Sequence, residues 1–189
     1  MQQTSAKIDN QKVEAFLGRV LADFGAALGV TLAHIGDKLG LYKAMAFAGP
    51  LSSQEVAARS GTNERYVREW LINQAAGGYV DYDPNTGKYI LPDEHALPLT
   101  NENCSFYVAG GFQVVNAWNK ADERIQENFL TGNGMHWGNH HHNLFEGTAR
   151  FFRPFYLGNL LNHWLPAISG IVERLEAGTY GWSENRGKF

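Results

Sequence analysis

Between Gly134 and Glu146 the chain reads Gly-Met-His-Trp-Gly-Asn-His-His-His-Asn-Leu-Phe-Glu, and four of its seven histidines fall within seven residues there. Imidazole titrates near neutral pH and is the commonest metal ligand, so this segment is the first place to look for chemistry. Three uses are open. His142 and Glu146 are four apart, one helical turn, which would suit a single metal ion. A ligand set also needs a third donor and supporting partners, and none follows at a diagnostic spacing such as two histidines flanking a glutamate. Alternatively, the imidazoles hydrogen-bond backbone at a loop and helix start and pack on Trp137 and Phe145. The third use is a polar, aromatic-rich lid over a small-molecule pocket, with histidine as an acid, base or orienting group. The run is internal, so it is not a purification tag.

Just downstream, Gly147-Thr148-Ala149-Arg150-Phe151-Phe152-Arg153-Pro154-Phe155-Tyr156 gathers four aromatics and two arginines. Such aromatics are more often core than ligand cage. Arg150 or Arg153 has the fork to clamp a carboxylate, although a surface ion pair is the commoner use.

The elements that must position these residues follow from periodicity. Val13, Phe16, Val20, Phe24, Leu28, Leu32 and Ile35 recur at helical spacing, predicting a long helix from about Lys12 to Asp37. Arg19, Asp23 and His34 interrupt its apolar run, which argues for a soluble packing helix rather than a membrane span. Gly25 and Gly29 lie on one face of it and predict close approach by another helix, either within the subunit or across a dimer seam. A short helix over 38–45 follows. Ser52 or Ser53 caps a third helix, Gln54 to Arg59, with Glu55 placed to complete a capping box with Ser52, and Thr62 or Asn63 caps a fourth, Glu64 to Ala76. The inward face of the fourth helix is read as Val67, Trp70, Leu71 and Ala75.

The period then switches to alternation. Tyr79-Val80-Asp81-Tyr82 and Lys88-Tyr89-Ile90-Leu91 flank Asp83-Pro84-Asn85-Thr86-Gly87, a hairpin signal. Helix, turn, helix and ribbon in this order describe a winged helix-turn-helix. Helices return over 93–96, 106–119, 120–130, 143–152 and 156–177, with Thr131-Gly132-Asn133-Gly134 as a joint. The fold class is therefore mainly α: a winged helix-turn-helix with one β-hairpin wing plus a helical extension.

Charge bears on what the winged unit does. The fourth helix carries Glu64, Arg65, Arg68 and Glu69, a net of zero, and the wing carries Asp81, Asp83 and Lys88. Phosphate contacts supply most nucleic-acid affinity, so a neutral recognition helix beside an acidic wing reads DNA poorly. With 189 residues, 44% hydrophobic, 19% charged and a net charge of −3, the chain has no general attraction to polyanions or acidic lipid. One cysteine, Cys104, forms no internal disulfide, and a reducing cytoplasm is the expected compartment. Met1-Gln2-Gln3-Thr4-Ser5 lacks the basic start of a signal peptide.

Several segments, in order, resemble one family. Ile35-Gly36-Asp37-Lys38-Leu39-Gly40-Leu41-Tyr42-Lys43-Ala44, Glu64-Arg65-Tyr66-Val67-Arg68-Glu69-Trp70-Leu71, Ala75-Ala76-Gly77-Gly78-Tyr79-Val80 and His140 through Pro154 are similar to the N-terminal region of bacterial S-adenosylmethionine-dependent methyltransferases that carry a winged-helix domain. The resemblance runs over about residues 13–178. It implies a region that supports dimerisation and forms part of a small-molecule pocket, followed by a Rossmann-like domain for the methyl donor. That domain would open with a strand and a glycine-rich turn, with an acid at the end of the next strand for the ribose hydroxyls. After Gly178 the sequence reads Thr-Tyr-Gly-Trp-Ser-Glu-Asn-Arg-Gly-Lys-Phe, which is neither, and resembles a premature or frame-shifted ending.

The expected division is 12–100 for the winged-helix domain, 101–178 for a helical dimerisation and substrate-lid extension, and 179–189 for an irregular tail. No catalytic, cofactor-binding or metal-binding residue is assigned, no cofactor is expected in this chain, and the region is expected to be inactive alone. Residues expected to line substrate are His140, His141, Phe145, Phe152 and Tyr156. Expected partners are a second copy or a full-length relative, and a small-molecule substrate in the intact enzyme, with no membrane and no nucleic acid. The alternative is a free-standing winged-helix regulator or a ligand- or partner-binding module.

Overall fold

The structure, a computed structural model, describes residues 8–178. The expected irregular tail over 179–189 lies outside the described residues, as do residues 1–7. Asp9 starts helix α1 (Asn10–Lys38) by accepting the backbone N–H groups of Gln11 and Lys12. Helix α2 (Leu41–Met45) turns the chain back. The capping box is present at α3 (Ser53–Ser60): Ser52 accepts from the N–H of Glu55, and the Glu55 carboxylate accepts from the N–H of Ser52 at 2.7 Å. That backbone bond, with the Ser52 hydroxyl and Lys88 behind it, holds the Glu55 carboxyl at about 2. Asn63 caps α4 (Glu64–Ala76).

The wing is an antiparallel pair, β1 (Asp81–Asp83) and β2 (Lys88–Ile90), with Asp81 opposite Ile90. Asp83 folds the turn by accepting from the Asn85 backbone and the Thr86 hydroxyl. Leu51 adds a two-bond bridge to Tyr89, fastening the wing to the segment before α3. The core of this half gathers Ala33, Leu41, Tyr42, Met45, Val56, Val67, Trp70, Leu71, Val80 and Leu91. Trp70 fits under α1 because residue 36 is glycine: a Cβ there would stand 2.4 Å from the indole. The indole N–H donates to the Leu32 carbonyl at 2.9 Å. Gln74, fully buried on α4, accepts the Tyr42 hydroxyl at 2.5 Å, so the polar amide sits in the core without a lost hydrogen bond. Periodicity had placed Ala75 on this face, and the structure buries Gln74 more deeply.

The second half runs α5 (Asp93–Thr100), α6 (Ala109–Asn119), α7 (Asp122–Thr131), a 3-10 turn (Trp137–Asn139), α8 (His142–Asn159), a π turn (Leu160–Trp164) and α9 (Ile171–Glu176). Helices α6 and α8 meet backbone to backbone at a glycine pair. A Cβ on Gly110 would lie 2.6 Å from the Phe151 nitrogen, and one on Gly147 would lie 2.9 Å from the Gly110 carbonyl oxygen.

Three expectations are corrected here. Pro154 does not divide two helices; it sits buried inside α8, which continues to Asn159. A proline costs one i→i−4 hydrogen bond, and the close seam with α6 outweighs that loss. The helix expected from Tyr156 to Ala177 is broken instead over 165–170, where Pro166 has no N–H to give and Gly170 takes φ 71°. The long helix is also less packed than its periodicity predicts: Phe16, Phe24 and Leu28 are each more than 60% exposed, and a Cβ on Gly25 or Gly29 would meet nothing within 4 Å. Only the C-terminal part of α1 carries buried residues, Ala33 and Gly36, while its length and composition would also allow a membrane crossing.

Gly110→Ala is expected to lower stability by about 1–3 kcal/mol in urea unfolding, because α6 and α8 must separate to admit the methyl group. The same change at Gly25 should be neutral or stabilising, since the site is open and alanine favours helix.

Candidate functional site

A polar knot joins α1, the α5–α6 connection, α6 and α8. The Arg150 guanidinium donates to both oxygens of Asp37, at 2.7 and 2.9 Å, across 113 residues of sequence. It also donates to Glu102 at 3.0 Å, to the Gln113 side-chain carbonyl at 3.0 Å and to the Tyr107 hydroxyl, and it lies over the Tyr107 ring. The hydrogen bond with Asp37 holds the Arg150 proton more tightly than usual, and burial pushes the Tyr107 hydroxyl up. This is no surface ion pair: the Asp37 side chain is 3% exposed and that of Arg150 21%. Arg153 is the exposed one, donating to Asn103 at 2.9 Å.

Gln113, fully buried, extends the knot. Its amide donates to Glu146 at 2.9 Å and to Asn143 at 3.3 Å. The Gln113 hydrogen bond, and then Lys38 at 3.8 Å, lower the Glu146 carboxyl below the usual range. Beside them His34 keeps a buried Nδ1 with no hydrogen-bond partner among the described residues. Burial, then the Lys38 charge, push its imidazole below the ordinary value.

The histidine segment is a set of caps and ring contacts. His136 Nδ1 accepts from the Gly138 N–H to start the 3-10 turn, and His141 Nδ1 accepts from the Asn143 N–H to start α8, both at 3.2 Å. The His140 ring lies 5.7 Å from Trp118 and 5.3 Å from Trp137, whose ring is in turn 5.3 Å from Phe145. Among the described residues no three of His, Cys, Asp and Glu converge as a metal set.

Of the five residues expected to line substrate, Phe145, Phe152 and Tyr156 lie at i, i+7 and i+11 on α8, within about 20° of one line. Leu144, Gly147 and Pro154 form the buried face on the opposite side; Phe152 and Tyr156 are exposed, while Phe145 is half-buried against Trp137. Phe152 borders a cavity of about 410 Å³ with Ser105, Phe106, Tyr107, Val108, Phe151 and Phe155. Tyr156 packs edge-on against Trp164. His140 and His141 sit at the start of the helix, and neither borders that cavity. Val108 also borders a second cavity of about 330 Å³ with Tyr79, His95, Leu99 and Phe112.

Sequence reasoning did not find Lys120, Trp118, His34 or Gln113 as members of these clusters. The partners of Lys120, Trp118 and Gln113 are 21 residues or more away in sequence, and no local spacing marks them.

On the winged unit, Arg65 pairs with Glu69 at 2.5 Å, Arg68 with Glu64 at 3.4 Å and Lys88 with Glu55 at 3.3 Å. The cations that would meet phosphate are thus already beside acids.

A winged helix-turn-helix core with a helical extension is the class this fold defines. Residues 26–101 match the family described as the Rv2258c-like winged HTH domain. The solved mitomycin 7-O-methyltransferase MmcR is similar in fold, with a TM-score of 0.59, 18% identity and coverage of 79% of this chain and 47% of that one. The structure of PigF with SAH is similar with a TM-score of 0.51, 18% identity and coverage of 79% and 45%. This chain thus spans about half the length of those proteins. No curated protein matches it. Its fold is similar to the N-terminal region of S-adenosylmethionine-dependent methyltransferases.

Arg150→Met should cost about 3–5 kcal/mol, because it leaves the Asp37 carboxylate buried without its partner. The His34 shift gives a pH dependence. A depressed imidazole takes up its proton more readily in the unfolded chain, so stability falls as pH drops below about 6.5. His34→Gln is expected to flatten the fall in urea midpoint between about pH 6.5 and 5.

Proposed function

We propose that this chain is the N-terminal dimerisation and substrate-lid region of a cytoplasmic S-adenosylmethionine-dependent small-molecule methyltransferase. The match of residues 26–101 and the fold likeness to MmcR support the relationship. The observation that carries the dimerisation role is α1. Its apolar stripe of Val13, Phe16, Phe24 and Leu28 stands exposed over a helix about 43 Å long, beside two open glycines. A contiguous apolar face of that kind is covered by association, and the same face on a second copy is its natural complement. The lid role is supported by the outward aromatic stripe of α8 and the aromatic cavity beside Phe152.

The methyl donor belongs, on this reading, to a separate nucleotide-binding domain. Among the described residues the one sheet is the two-stranded antiparallel wing, and no strand leads through a glycine-rich turn into a helix. Methyl transfer there would rest on positioning the acceptor against the sulfonium, with a base where the acceptor needs one. The contribution of this region would be to orient the acceptor and exclude water.

Light scattering on the purified chain is expected to give a dimer mass, and Phe24→Glu with Leu28→Glu to give monomers that keep their helicity. A wild-type monomer at every concentration would remove the dimerisation role. Calorimetry with S-adenosylmethionine is expected to show no binding to this chain alone; tight binding would overturn the separation of donor and acceptor functions.

A further inference from the structure

One apolar row runs the length of α1: Leu17, Leu21, Phe24, Leu28, Leu32, Ile35 and, at the helix cap, Leu39. The successive gaps are 4, 3, 4, 4, 3 and 4 residues. At 3.6 residues per turn the whole row stays within about 40° of one line. The eleven-residue repeat, 17–28 and then 28–39, keeps it almost parallel to the helix axis. Arg19 and Asp23 fall on the far side of the helix.

The gaps read the same in both directions. Turned end over end about Leu28, the row falls on itself: Leu17 comes level with Leu39, Leu21 with Ile35, and Phe24 with Leu32. That is the condition for an isologous contact between two antiparallel copies of one helix. In such a contact the central residue meets its own copy, and every other residue meets a different one.

The row is also open to be covered. Leu17, Leu21, Phe24, Leu28, Ile35 and Leu39 each leave 41–67% of their surface exposed, and Leu32 is half-buried. Its two ends are unlike. Toward the C-terminus, Leu32, Ile35 and Leu39 form one wall of a cavity of about 230 Å³, with Tyr66, Val67 and Trp70 of α4 as the other wall. Toward the N-terminus the helix stands bare. A parallel pair would set bare end on bare end and groove against groove. An antiparallel pair lays each bare end over the other copy's groove, and it brings the positive end of each helix dipole beside the negative end of the other. The span from residue 17 to 39 is about 33 Å, and half the circumference of a helix about 11 Å across over that length is roughly 600 Å². Two copies together reach the roughly 1,200 Å² at which stable, specific interfaces begin.

We propose that α1 pairs with α1 of a second copy in an antiparallel two-fold contact centred on Leu28, and that the partner's Leu17 and the partner's Leu21 fill the groove between α1 and α4. This rests on the reading of α1 as a dimerisation surface and deepens it. It fixes the direction, the register and the side chains that complete the groove.

The test uses the full 189-residue chain carrying Cys104→Ser, so that each variant has a single introduced cysteine. Leu28→Cys is expected to form a disulfide-linked dimer under mild oxidation. Leu21→Cys and Ile35→Cys are each expected to stay uncrosslinked alone. In the antiparallel pair two copies of either residue stand 14 positions apart, about 21 Å along the axis, against a limit of about 7 Å for a disulfide. Mixed, these two variants should crosslink to each other, and a size tag on one identifies the mixed species. Leu17→Glu should raise the dimer dissociation constant about tenfold or more, because a buried leucine is lost at each end of the contact. These positions are exposed, and circular dichroism checks that each variant keeps its helicity. Self-crosslinking of Leu21→Cys or Ile35→Cys, no crosslink at Leu28→Cys, or an undiminished dimer in Leu17→Glu would each overturn the proposal. Light scattering on the same samples before oxidation separates this from the broader reading. A dimer mass with any of those results overturns the pairing and leaves dimerisation standing, whereas a monomer removes both.

Discussion

Arg150 is where three parts of the chain meet, and the arrangement of everything after residue 100 depends on it. One planar fork takes both oxygens of Asp37 on α1, while the same group reaches Glu102 before α6 and Gln113 on α6. A carboxylate as buried as Asp37 is costly unless it is paired and fully hydrogen-bonded, and a bidentate guanidinium meets that condition in one contact. Lysine would supply the charge without the fork. The glycine seam between α6 and α8 sets the distance at which this works, because it lets the two backbones touch beside the Arg150 turn. Close approach and ion pair are thus one device: the seam brings α8 in, and Arg150 fixes its rotation and ties it to α1.

That rotation decides what α8 shows to the outside. With Leu144, Gly147 and Pro154 turned inward, Phe145, Phe152 and Tyr156 must face the other way. The exposure of Phe152 and Tyr156, and the half-burial of Phe145 under Trp137, follow from a helix pinned on its opposite side. The same holds for α1. Its C-terminal turns are held by Trp70, α6 and the Asp37 pair, so its N-terminal turns project with their apolar residues unmatched.

Local signals in the sequence carried the winged half well. Ser52 with Glu55, Asn63 before the fourth helix, and the Asp83 to Gly87 turn are short-range hydrogen-bonding devices, and each appears where the residues predict it. The seams were not legible. Nothing in the spacing of Gly110 and Gly147 says that they touch, and nothing local links Asp37 to a residue 113 positions away. Arg150 looked like a surface arginine because its exposed neighbours, Arg153 among them, share its surroundings in sequence. Pro154 misled for a related reason: proline is a local stop signal, and tertiary packing overrode it. Of the three uses open to the histidines, backbone capping by His136 and His141 and packing of His140 on Trp137 are present in the fold. Their partner Lys120 and the rings of Trp118 come from the end of α6 and required the fold.

The two ends of α8 differ chemically in a way the helix itself imposes. Its first turn has free N–H groups and a positive dipole end, and it is there that His141 caps the backbone and Lys120 adds a further cation. Its later turns carry no such field; there Phe151, Phe152 and Phe155 border the cavity, and Tyr156 packs on Trp164. One rigid helix therefore presents a donor-rich, anion-favouring end and an apolar aromatic end along a single outward line. Phe145 and Phe152 are seven residues apart, about 10 Å along the axis. The direction of that line follows from Arg150, which ties the opposite side of α8 to Asp37 on α1.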